Sequence, residues 1–270
     1  MTMSLLSGKK IVLTGVLNNK SIAWGIAQQC KNAGAELFLS YQNEAAQKRV
    51  LPLAEELGCK LTAQLDVSTE ENMDVFFKEV EQRMGNIDGF LHCLAFSDKN
   101  ELEGGITSTS MANFNLALNV SAYSLIGCSA RARKLMKNGG SIVTLTYAGS
   151  EKWVPNYNVM GIAKAALETA VKYLAPDLGA DKIRVNAISS GPVKTLAASG
   201  ISDFNYMLRY HELNTPLKIN TTPDDNGKTA VYLFSDLSSN VTGEVIHVDG
   251  GYHIMGMKDP SSPNIDIPNK

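Results

Sequence analysis

A chain of 270 residues, 44% hydrophobic and 19% charged, is long enough for one substantial core and reads as one large α/β domain rather than two. Its formal net charge is −2, with 25 Lys and Arg against 27 Asp and Glu spread along the chain, which argues against a nucleic-acid-binding block or an acidic disordered tail and suits a small-molecule enzyme. The N-terminal MTMSLLSGKK has too short an apolar run for a signal peptide and no window approaches the ~20 apolar residues of a membrane span, so a cytoplasmic location is expected.

In chain order, short β-branched or apolar runs alternate with helical patterns. The first strand is expected at Ile11–Leu13, a helix at Ala23–Ala33, a strand at Glu36–Ser40, a helix near Glu44–Leu57 and a strand at Lys60–Leu65. A helix at Thr69–Met84 is introduced by Ser68 with Glu71 three residues on, the spacing of a capping box. Further strands are expected at Gly89–Cys93, Ser141–Thr146, Ile183–Ile188 and Glu244–Val248. Seven strands in this rhythm, joined by right-handed crossovers, predict a Rossmann-type, doubly wound parallel sheet flanked by helices. The domain is taken as residues 1–258 and the polar stretch 259–270, DPSSPNIDIPNK, as a tail that buries little.

Cys30, Cys59, Cys93 and Cys128 form no C-x-x-C pair and read as buried free thiols in a reducing compartment. His92, His211, His247 and His253 show no ligand spacing, and no metal site is expected.

The first strand runs into Thr14-Gly15, and the following turn carries Gly15, Ser21, Ala23 and Gly25 at the start of the first helix. Small residues there let the backbone approach a pyrophosphate, and the helix N-terminus supplies N–H donors and positive dipole. The spacing is not G-x-G-x-x-G, so the segment by itself equally suits a glycine turn between any strand and helix. Gln42, after the second strand, falls where a ribose would lie, and Asp66-Val67, after the third, where an adenine would lie. Asp66 also suits an ordinary turn aspartate.

Tyr157 and Lys164 are seven residues apart at the start of a helix of small and apolar residues. That spacing is nearly two turns, ~10 Å along the axis, with both side chains on one face. A phenol donates to or stabilises an oxyanion, particularly beside a fixed cation, and an ammonium donates to ribose hydroxyls. Spacing alone is not diagnostic, because Tyr41 and Lys48 repeat it away from any expected cleft. The placement of Tyr157 and Lys164 directly after the fifth strand, which ends at Tyr147, distinguishes them.

Six segments together resemble the short-chain dehydrogenase/reductase superfamily and, within it, the enoyl-acyl-carrier-protein reductase branch. They are GVLNNKSIAWG from Gly15, Tyr41-Gln42-Asn43, Leu65-Asp66-Val67, Tyr147 with Tyr157 and Lys164, ISSGPVKTLAASGI from Ile188, and GEVIHVDGG from Gly243. Ketoreductases of the superfamily place lysine four residues after the tyrosine, where this chain has Gly161. In a ketone the carbon accepting hydride carries the oxygen that becomes negative. In an enoyl thioester hydride adds at C3 while charge develops on the thioester oxygen, so the donor must be displaced, and a changed Tyr/Lys register displaces it.

The resemblance implies reduction of enoyl-acyl-carrier-protein thioesters by NADH in fatty acid elongation, in a homotetramer. It implies catalytic roles for Tyr157 at the enolate oxygen and Lys164 at the nicotinamide ribose, with Tyr147 lining the cleft. The implied cofactor contacts are Gly15, Ser21, Ile22, Gln42, Asp66, Val67, Cys93, Leu94, Lys164, Val193 and Thr195. The implied substrate contacts are Ala95, Tyr147, Tyr157, Met160, Ala197, Phe204 and Met207, most of the later ones on a mobile loop and helix over residues 191–216, a stretch that also suits an ordinary core helix. Basic residues for an acidic carrier protein are few there, limited to Lys194, Arg209 and Lys218. Leu167, Ala170, Val171 and Leu174 make the Lys164 helix apolar on more than one side, which a partner subunit would cover. A ketoreductase and a non-catalytic dinucleotide sensor are the alternatives; Gly161 counts against the first, and the retained Tyr157 and Lys164 against the second.

Overall fold

The computed structural model describes residues 4–196, 198, 204–263 and 265. Seven strands form one parallel sheet: β1 Lys10–Leu13, β2 Glu36–Tyr41, β3 Leu61–Gln64, β4 Gly89–His92, β5 Gly140–Thr146, β6 Ile183–Ser190 and β7 Val245–Val248, in the order β3-β2-β1-β4-β5-β6-β7. The expected strands are all present, with ends moved by a residue or two. Strand order reverses between β1 and β4, and the crevice at their carboxyl ends is where a doubly wound sheet binds ligands.

Helices α1 Ile22–Asn32, α2 Glu44–Glu56 and α8 Pro223–Phe234 cover one face; α3 Glu70–Met84, α5 Ser124–Leu135 and α6 Asn158–Gly179 cover the other. Strand periodicity divides the core between them. Ile11 and Leu13 pack with Ile26, Val50 and Leu233, while Val12 between them packs with Phe76, Leu125 and Leu167 on the opposite side. Two further helices, α4 Met111–Leu118 and α7 Phe204–Asn214, border the carboxyl end of the sheet.

Two local readings are corrected. The cap of α3 is Thr69, whose side chain accepts from Asn72 N at 3.3 Å, and not Ser68 with Glu71. Asp66 accepts the Ser68 N–H at 3.0 Å, and this turn delays the helix by one residue. A capping box does exist elsewhere, at Thr222 and Asp225 ahead of α8. Gly25 is small for the sake of helix packing rather than phosphate approach. A Cβ on it would collide with the Pro223 carbonyl oxygen, and one on Gly227 would come within 2.6 Å of the Gly25 carbonyl oxygen, so α1 and α8 touch through backbone.

Among the described residues no helix is long and apolar enough to cross a membrane. All four cysteines are free, with Cys93 only partly buried. The segment after Lys258 is tied to the end of α7: Asn214 accepts from Asp259 N at 3.1 Å, and buried Ser262 donates to Leu213 O at 2.6 Å.

Candidate active site

The crevice is built first from the β1 end. Thr14, fully buried, donates its hydroxyl to Leu91 O at 2.9 Å and accepts from Cys93 N at 3.0 Å, stitching the ends of β1 and β4 together. Gly15 follows with φ +84, and a Cβ there would collide with the Cys93 carbonyl oxygen. Only glycine suits both the left-handed backbone and this approach. Ser21 caps α1, accepting from Trp24 N at 3.3 Å and donating to Asn18 O at 2.8 Å, and the first turn that begins at Ile22 has no carboxylate. A glycine cradle facing an uncontested helix N-terminus fits the diphosphate of a dinucleotide. Gln42 is exposed just past β2, Asp66 and Val67 follow β3, and Cys93 and Leu94 follow β4, so the sheet gathers these positions along one edge. Val193 is buried and Thr195 half-buried just after β6.

The candidate catalytic residues lie at the carboxyl end of β5 and the amino-terminal part of α6. Tyr157 is the residue immediately before α6, and its turn is anchored by Asn158, whose amide donates to Leu102 O at 2.8 Å and Gly104 O at 3.1 Å. The Tyr147 and Tyr157 rings meet edge to face, with centroids 5.1 Å apart. Burial pushes the Tyr157 phenol far above the ordinary tyrosine range, with Tyr147 and Glu168 adding to the shift. Burial, then Tyr252, does the same to Tyr147. Tyr157 is therefore a neutral hydrogen-bond donor here. Lys164 is buried and donates to Leu145 O at 2.7 Å. Burial lowers it to about 8, against the opposing influence of Cys93 and Glu168.

Gly161 has a role that its reading as an absent lysine missed. A Cβ at 161 would lie 2.8 Å from the Gly149 carbonyl oxygen, while a Cβ at 149 would strike the Tyr157 ring. The two glycines let the loop after β5 lie on α6 and fix where Tyr157 sits. The four-residue Tyr/Lys register is therefore sterically closed to this backbone.

The Lys164 environment gives a stability prediction. Its folded pKa of about 8 lies below the unfolded value, so the buried ammonium is a cost below that pH, relieved as pH rises toward the unfolded value. Lys164→Met is expected to stabilise the protein at pH 7 by about 1–3 kcal/mol, given that each pKa unit is ~1.4 kcal/mol and a hydrogen bond is lost. Thermal melts should show the advantage shrinking toward pH 10. A lower melting temperature for the variant at pH 7 would contradict a buried charged lysine.

The family model described as "Enoyl-(Acyl carrier protein) reductase" matches residues 15–253, spanning every element of this site from Gly15 to Lys164. The chain belongs to the enoyl-(acyl carrier protein) reductase family. It is 56% identical over 256 residues to the NADH enoyl-[acyl-carrier-protein] reductase of Rickettsia felis, covering 95% of this chain and 98% of that one. The Anaplasma phagocytophilum enoyl reductase, solved in complex with NAD, superposes with a TM-score of 0.92 at 52% identity, covering 97% of this chain and 98% of that one. The Bacillus cereus enzyme, solved with NADP+ and an indole naphthyridinone, gives 0.92 at 50% identity over 94% and 99% of the two chains.

On the substrate side of this enoyl reductase, Met160 is buried with Leu102, Ala117 and Val159, and Tyr157 packs against that cluster. Phe204 is buried, Met207 half-buried and Ala95 exposed. Ala197 lies outside the described residues, as do Gly200, Ile201 and Ser202. Helix α7 is held by His211, whose ring packs at a tilt against Tyr252 with centroids 5.0 Å apart and faces Asn220 Oδ1 at 3.2 Å. Two of the nearby cations are engaged, Arg209 with Glu212 and Lys218 with Asp259, both at 2.8 Å. His92 is a packing residue, bonded to Thr144 at 2.9 Å and Ser124 at 2.7 Å and lowered by burial to about 3. The His247 and His253 rings stack 3.9 Å apart, and among the described residues no cluster of His, Cys, Asp and Glu is arranged to hold a metal. A groove of about 1000 Å³ lined by Arg133, Lys134, Lys137 and Lys182 lies at the amino ends of β5 and β6, away from the catalytic pair.

Sequence reading missed Thr14, Gly149 and Glu168 as site residues. Thr14 and Glu168 act on residues distant in the chain, and Gly149 through a backbone approach across the loop after β5, none of which spacing along the sequence signals.

Proposed function

We infer that the chain reduces the C2=C3 double bond of trans-2-enoyl-acyl-carrier-protein thioesters to acyl thioesters with NADH, the last reductive step of type II fatty acid elongation. The observation that carries this reading is the spacing of Tyr157, just ahead of α6, and Lys164 on it, enforced by Gly161 against the Gly149 carbonyl. NADH, when bound, supplies the hydride. Gly15, Ser21 and Ile22 would hold its diphosphate, Gln42 the adenosine ribose, Asp66 and Val67 the adenine, and Cys93, Leu94, Lys164, Val193 and Thr195 the nicotinamide end. The neutral Tyr157 phenol donates to the thioester oxygen as it gains enolate charge, and the charge-stabilising contact strengthens toward the transition state. Lys164 orients the nicotinamide ribose, and Tyr147 closes the side of the cleft against water. Ala95, Met160, Phe204 and Met207, with Ala197, form the acyl side.

The exposed apolar residues Ile126, Ile162 and Tyr173 on α5 and α6 support a homotetramer in which partner subunits cover these helices. The enzyme works in the cytoplasm with acyl-carrier protein as the donor of its substrate, and the engaged Arg209 and Lys218 leave that docking only weakly charge-driven.

Steady-state kinetics test the reading. A trans-2-enoyl thioester should be reduced and a 3-ketoacyl thioester should not; equal turnover of both would remove the enoyl assignment. Kcat/KM should be higher with NADH than NADPH, because Gln42 can accept from a free 2′-hydroxyl while Glu44, in the first turn of α2, would repel a 2′-phosphate. A higher value with NADPH would show that Lys20 or Lys48 reaches the ribose.

A further inference from the structure

Glu168 is buried at 8% exposure, one turn beyond Lys164 on α6. Its Oε1 accepts two hydroxyls, Thr146 Oγ1 at 2.5 Å and Ser150 Oγ at 2.5 Å. Among the described residues no cation lies within ion-pair distance of it. A buried acid needs compensation, and here two hydroxyls donate to it while the Lys164 ammonium, one turn back, attracts it. The two donors flank Tyr147 on either side. Ser150 Oγ also lies 3.0 Å from the Tyr147 carbonyl oxygen, so its single hydrogen is shared between that oxygen and Glu168, the shorter contact. The chain from Tyr147 to Ser150 forms one short 3-10 turn, Ala148–Ser150, closed by Ser150 N donating to Tyr147 O and Lys152 N donating to Ala148 O, both at 3.0 Å.

We propose that Glu168 is a positioning residue for the reduction, clamping both flanks of Tyr147 to the helix that carries Lys164. This rests on the reading given under Proposed function. One carboxylate oxygen joins the end of β5, the loop after it and α6, so the Tyr147 ring meets the Tyr157 ring at a fixed edge-to-face angle of 73°. The Gly149 backbone, which shapes the Tyr157 position, lies inside the clamped turn. Loss of the clamp lets both phenols drift relative to the thioester oxygen while the Gly15 cradle, at the other side of the crevice, is untouched.

The test uses the full chain with NADH and a crotonyl thioester. Wild-type turnover is the control for the functional reading itself; its absence would refute that reading without bearing on Glu168. Glu168→Ala is expected to lower kcat by about 10-fold or more, as misplacement of reacting groups does, while the NADH dissociation constant moves less than kcat. Glu168→Gln keeps an acceptor oxygen for both hydroxyls and should recover kcat to within about 3-fold of wild type. Ser150→Ala should reduce kcat alone and add little in the Glu168→Ala background, the non-additivity of residues in one network. A folded Glu168→Ala enzyme with wild-type kcat, or losses that add fully with Ser150→Ala, would overturn the proposal. If Glu168→Ala does not fold, Ser150→Ala and Thr146→Val decide it: reduced kcat in both supports the clamp, and unchanged kcat in both removes it.

Discussion

Tyr157→Phe should lower kcat by about 10²-fold or more, the cost of losing one oxyanion donor, and leave NADH binding close to wild type. The ring stays, so the edge contact with Tyr147 and the packing on the Leu102, Ala117, Val159 and Met160 cluster stay with it. Only the hydroxyl is removed, and burial keeps that hydroxyl protonated and able to donate. Lys164→Ala should fail in the opposite way, weakening NADH binding, because the role proposed for the ammonium is to hold the nicotinamide ribose. Fluorescence titration of NADH alongside single-turnover reduction separates the two effects. Loss of NADH binding in Tyr157→Phe, with normal turnover of what does bind, would reverse the two roles.

Gly15→Ala should destabilise the protein and abolish its response to cofactor. The left-handed backbone at φ +84 costs a side chain about 1–2 kcal/mol, and the overlap with the Cys93 carbonyl adds an overpacking cost of about 1–3 kcal/mol. Together these correspond to a melting temperature lower by on the order of 10 °C. The collision pushes the turn off the β4 end, opening the Thr14 stitch that holds the two strands in register at the cradle. NADH should raise the wild-type melting temperature by mass action and leave that of the variant unchanged. An NADH-dependent shift of wild-type size in Gly15→Ala would place the diphosphate elsewhere.

The sheet was legible because a buried parallel strand is a short apolar run bounded by turn residues, and seven such runs stand out between helical patterns. The candidate pair was legible because Tyr157 immediately precedes the helix that carries Lys164, so its spacing is a local property. What escaped were contacts closed by the fold. Thr14 reaches Cys93 across 79 residues, and Glu168 reaches Thr146 across 22 residues, with nothing in either segment to announce the partner. Gly161 was read for the lysine it lacks, whereas its physical work is to admit the Gly149 carbonyl. The α3 cap moved because Asp66 bonded to the Ser68 backbone, a competition between two legitimate caps that spacing cannot rank.

Isotope transfer tests the central claim most directly. NADH deuterated at its transferable position would be turned over with a trans-2-enoyl thioester, and the label located in the product by NMR. The geometry of Tyr157, Lys164 and Gly161 predicts one deuterium at C3 of the saturated acyl thioester, with the hydrogen at C2 coming from solvent. Deuterium at C2, or a saturated acyl product carrying no deuterium from NADH, would contradict it.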